Sequence, residues 1–79
     1  MNDLQDFNVK IVMDFSSGPE TIELVRKAES AQELKNQLAN RLNPGQGKAV
    51  VPIVDQESGE LLFIHSMKFG HARVNARDE

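Results

Sequence analysis

Ser30-Ala31-Gln32-Glu33 spells a capping box. The Ser30 hydroxyl is placed to accept from the backbone N–H of Glu33, and the Glu33 carboxylate to reach back to the N–H of Ser30. A helix therefore starts at Ala31. From there to about Leu42, residues Ala31, Leu34, Leu38 and Leu42 make one narrow apolar stripe. Gln32, Lys35, Asn36, Asn40 and Arg41 take the other side. A helix apolar on one side only lies on a surface, here a sheet, and is not buried all round. Glu33 in the first turn and Arg41 in the last both suit the helix dipole. Asn43-Pro44-Gly45 stops the helix and Gln46-Gly47 extends the loop.

Everything on either side of this helix reads as strand. Phe7, Val9, Ile11, Met13 and Phe15 alternate with Asn8, Lys10, Val12 and Asp14, the period of a half-buried strand. Ser16-Ser17-Gly18-Pro19 reads as a turn. Thr21 to Ala28 alternates again, with Ile22, Leu24 and Ala28 inward. Arg26 breaks that inward face and is expected to lie flat with its head in water. Ala49 to Val54 is a third strand, and Pro52 inside it predicts an edge or a bulge. Asp55 to Glu60 is a polar hairpin loop in which Gly59 can take positive φ. Leu61-Leu62-Phe63-Ile64 is apolar on both faces and predicts a central strand. Ser66 opens a turn or bulge, and Phe69 to Val74 is a last strand weakened by Gly70.

The expected fold is therefore α+β: a mainly antiparallel sheet of about five strands in the order ββαβββ, with one helix packed on one face. Residues 1–79 make one small domain, with 1–6 and 75–79 expected to fray. Leu34, Leu38, Ile11, Met13, Ile22, Leu24 and Phe63 are the expected core. One helix cannot cover both faces of such a sheet. The uncovered face, carrying Val12, Val25, Leu62 and Ile64, is the candidate interaction surface.

Composition narrows the chemistry. There is no Cys, so no disulfide or thiolate metal site. The first residues lack the basic and apolar regions of a signal peptide, and no apolar run approaches a membrane span. The expected setting is cytoplasmic, without a membrane. The net charge of −3 is unevenly spread. Residues 1–33 hold seven acids against three bases, whereas residues 61–77 hold Lys68, Arg73 and Arg77 and no acid. Those three with His71 are candidate nucleic-acid contacts. A single-strand binder needs several stacking aromatics, and only Phe69 lies near them. Nucleic acid is thus the weaker alternative.

Catalysis and metal binding are not expected. His65 and His71 fit no metal spacing. Asp14 and Glu20 flank the first turn and offer the only paired carboxylates. Each Ser is accounted for by a turn or a cap. Gly45-Gln46-Gly47-Lys48 follows a helix and lacks the Ser or Thr of a phosphate loop. No catalytic residue, metal or cofactor is assigned.

The opening hairpin Val9–Phe15 and Thr21–Ala28, the Ser-Ala-Gln-Glu-Leu helix start and the ending from Leu61 to Val74 together resemble small uncharacterised proteins of phages and prophages of Gram-positive bacteria. The resemblance lies in layout across nearly the whole chain. It implies an accessory protein and assigns no catalytic residue. The resulting expectation is a non-enzymatic interaction module, acting through a sheet edge or open sheet face on a protein partner or on itself.

Overall fold

The structure is a computed structural model and describes residues 3–42 and 49–77. Five strands and one helix follow in the predicted order: β1 (Gln5–Phe15), β2 (Gly18–Ala28), α1 (Ala31–Arg41), β3 (Val50–Val54), β4 (Leu61–His65) and β5 (Phe69–Ala76). A 3-10 turn, Ser66–Lys68, joins β4 to β5 at the predicted turn. The α+β class and antiparallel pairing agree with the sequence pattern. The strands divide between two sheets, however: β2-β1-β5 and the hairpin β3-β4.

The first hairpin is tighter and longer than its sequence suggests. Only Ser16 and Ser17 form the turn, and Gly18 pairs directly with Phe15. Gly18 sits at φ 128°, where a side chain would be strained. Pro19 is tolerated inside β2 because its missing N–H falls on the side away from β1. The ladder takes in Gln5 and Asp6 at one end and Asn75 and Ala76 at the other, within the segments expected to fray. The N–H of Arg77 extends it by donating to the Asp6 carbonyl at 3.0 Å.

β5 joins β1 with a slip in register between Val12 and Met13, and Gly70 is the unpaired extra residue. A Cβ at Gly70 would lie 2.6 Å from Asp14 Oδ2 and 3.2 Å from the Val12 carbonyl oxygen. A side chain there would have to displace the Asp14 carboxylate and press on the Val12 carbonyl.

The helix begins as its cap dictates. Ser30 is extended and its hydroxyl accepts from the Glu33 N–H at 3.2 Å. The return bond differs by one residue: Glu33 accepts from the N–H of Glu29, not of Ser30. Leu34, Leu38 and Leu42 are buried and Ala31 half-buried, so the stripe faces the sheet. The predicted stop at residues 43–45 lies outside the described residues, as does the glycine loop with Lys48.

The core lies between the inward face of β2-β1-β5 and a second layer made of α1 and β3-β4. Phe7, Val9, Ile11, Met13 and Leu24 from the first layer meet Leu34, Leu38, Val51, Ile53 and Ile64 from the second. Ile22 is partly buried at the rim. Phe63 is not in the core: it is 55% exposed, while its neighbour Ile64 is 0% exposed. The reason is that β3-β4 is an outer layer covered on one face only, and Phe63 points to the other.

Candidate interaction surface

The β3-β4 hairpin has two unlike faces. The pairs Val51 with Ile64 and Ile53 with Leu62 point into the core. The pairs Val50 with His65, Pro52 with Phe63 and Val54 with Leu61 point out. Residues opposite each other in an antiparallel pair share a face, so five apolar side chains and one imidazole form a continuous outward sheet face. Leu61 is 50% exposed beside Phe63. The His65 ring stands edge-on to Phe15, centroids 5.8 Å apart at 81°, and closes one end of the patch.

Two arginines fix the outer edge of β3. Arg26 Nη1 donates to the Val54 carbonyl at 2.9 Å, and the Arg41 guanidinium donates to the Pro52 carbonyl. Pro52 has no N–H to offer, in keeping with an edge position. Arg26 keeps its Nη1 contact at the surface, as expected of an inward arginine near a hairpin end. It is half-buried across the strand edge, with Nε shielded and without a partner. Burial, and secondarily Arg41, lowers its pKa. The geometry also shows which way the backbone points. Val54 and Pro52 direct their carbonyls away from β4, so the paired Leu61 and Phe63 direct their own N–H and C=O groups away from β3. Among the described residues no hydrogen-bond partner meets those groups of Leu61 and Phe63.

The other end of the hairpin is clasped to the first layer. The Asp55 carboxylate accepts from the N–H of Val25 at 3.2 Å and of Glu57 at 3.0 Å. Gln56 donates its N–H to the Val25 carbonyl at 2.8 Å, and its side chain accepts from the Lys27 N–H. The loop turns at Gly59, which takes φ 81°. These bonds cover the outer edge of β2 at Val25 and Lys27. Glu57 then reaches over the outer sheet face to Arg77, 2.6 Å away.

Val12, Val25, Leu62 and Ile64 do not form one surface. Ile64 is fully buried and Leu62 half-buried against the core. Val25 is buried at 7% exposure on the outer face of β2, beside the clasp loop. Val12 alone is half-exposed on that outer face. The inward and outward sets of β4 are the reverse of those expected. The sequence does carry a signal for the true order. Pro52 tolerates exposure better than the Val and Ile around it, and pairing through the Asp55–Glu60 loop puts Phe63 opposite it.

The basic residues do not make one stripe. His71 and Arg73 pair with Val12 and Lys10 on the outer face of β5, and Arg77 is bound to Glu57. The Gly70 bulge exists, yet Lys68 lies in the 3-10 turn, off the strand. Glu23 faces Lys10, and Asp6 bonds Lys27 at 2.8 Å, so the outer face is of mixed sign. An open polar hollow of about 400 Å³ there is lined by Asn8, Lys10, Glu23, Glu57 and Arg77. The carboxylates of Asp14 and Glu20 are not brought together: they pair with Pro19 and Met13 and point to opposite faces. His65 and His71 lie in different sheets. Among the described residues no three His, Asp or Glu side chains are grouped to hold a metal ion. No described helix is long and apolar enough to cross a membrane.

Comparison with protein-family models, curated proteins and solved structures finds no match.

Proposed function

We propose that this chain is a non-enzymatic interaction module that docks a protein surface through the outward side of β3-β4. The observation that carries this reading is the run of exposed apolar pairs, Pro52 with Phe63 and Val54 with Leu61, on a hairpin held rigid at one edge by two arginines. Contiguous apolar surface lowers solubility unless something covers it. Here the exposure is not forced by the core, because the inward set alone fills it. The mixed charge on the other sheet favours protein over nucleic acid as partner.

Affinity capture with wild-type and Leu61→Ser/Phe63→Ser baits tests this. Proteins retained by the wild type are expected to be lost with the double variant while thermal unfolding stays cooperative. Equal retention by both baits, or salt-sensitive micromolar binding of oligonucleotides that Arg73→Ala abolishes, overturns it.

A further inference from the structure

We infer that the β4 edge bordering this surface takes a second copy of the chain, by antiparallel pairing of β4 with β4 about a two-fold axis at Phe63. The pairing goes beyond the docking role of the outward face, which it widens and leaves open to a further protein, and it assigns a partner and a register to the edge.

Edges decide the matter. The β3 edge presents carbonyls already taken by Arg26 and Arg41, and no N–H at Pro52. The β2 edge is taken at Val25 and Lys27 by the clasp. A β5 edge pairing would bring the Arg73 side chains of two copies onto one face. The β4 edge has none of these obstacles. Leu61-Leu62-Phe63-Ile64-His65 carries no acid, Lys or Arg, and Leu61 and Phe63 aim outward backbone groups that have no partner among the described residues. Such an edge is a template for another strand.

The strand is also self-complementary. With Phe63 opposite its own symmetry mate, Leu61 falls opposite His65, whose N–H points to the Leu61 carbonyl while its own carbonyl opens the 3-10 turn. No other two-fold register uses all three residues. An isologous contact of this kind closes at two copies, and the two apolar faces become one four-stranded face. Half-exposed Leu61 and Phe63 with their flanks offer on the order of a few hundred Å² per copy, short of the ~800 Å² per partner of a stable complex. The dimer is therefore reversible and forms at high micromolar concentration.

Sedimentation velocity from 10 µM to 1 mM, on the order of the range such a contact requires, tests the pairing on three chains matched by circular dichroism. These are the wild type, Phe63→Lys, and a semisynthetic chain with an N-methyl amide at Phe63. The methyl removes an N–H that has no partner among the described residues and leaves the side chain intact. The wild type should rise from monomer to dimer with concentration, and both variants should stay monomeric. Phe63→Lys sets two like charges opposite each other, whereas N-methylation blocks the edge alone. A wild type monomeric at 1 mM overturns self-pairing while leaving capture of a different protein by the same face intact. An N-methyl chain that still dimerises overturns the edge geometry.

Discussion

Ser30 is the residue whose role the sequence pattern states most fully. Its hydroxyl satisfies one of the N–H groups that every helix start leaves open. Ser30→Ala should lower stability by about 0.5–2 kcal/mol, measured by equilibrium denaturation. Glu33 shows the limit of such reading. Its carboxylate finds the N–H of Glu29 and not of Ser30, because a one-residue shift in the approach to the helix leaves the sequence pattern unchanged. Arg26 is legible as an anomaly but not as a solution. An inward arginine has to find an acceptor, and the one it finds, the Val54 carbonyl, is supplied 28 residues away. Nothing near Arg26 in sequence names that partner.

Among the elements, those with one apolar side are legible in the sequence and the one with two is not. The stripe of α1 has a single possible orientation, and Leu38 is accordingly buried. Leu38→Ala should destabilise by roughly 2–5 kcal/mol, read as a lowered midpoint in urea. A loss below 1 kcal/mol, roughly the scale of an exposed site, would contradict the packing of α1 on the sheet. β4 has no such asymmetry. Leu61, Leu62, Phe63 and Ile64 are all apolar, so alternation cannot choose between the two sets. The choice is made by pairing with β3 and by the split into two sheets, both of which depend on how a distant loop docks. For the same reason Leu62 and Ile64, expected on the uncovered face, are the inward pair of β4.

At the scale of the whole molecule, one carboxylate joins the two layers. Asp55 has its pKa held below the ordinary value, first by the Glu57 N–H and, with smaller weight, by those of Val25 and Ser58, against an opposing effect of desolvation. A folded-state pKa below the unfolded one stabilises the fold above the ordinary carboxylate range, near pH ~3.9. That contribution is lost as pH falls through the folded value. Asp55→Asn should therefore weaken the protein at neutral pH and flatten its loss of stability in acid, as followed by urea midpoints between about pH 2 and 7. An unchanged acid limb would mean that the clasp holds without the charge. The pairing of β1 with β5 has a different consequence, one of timing. Phe7 lies beside Ala76, and Val9 beside Val74. During synthesis the first hairpin can close as soon as it leaves the ribosome, but its third strand emerges only after α1, β3 and β4. Until then Phe7, Val9, Ile11 and Met13 have no finished sheet behind them. A translation pause anywhere between α1 and β5 would hold the nascent chain at its stickiest, with its β1 edge open to a neighbour on the same messenger.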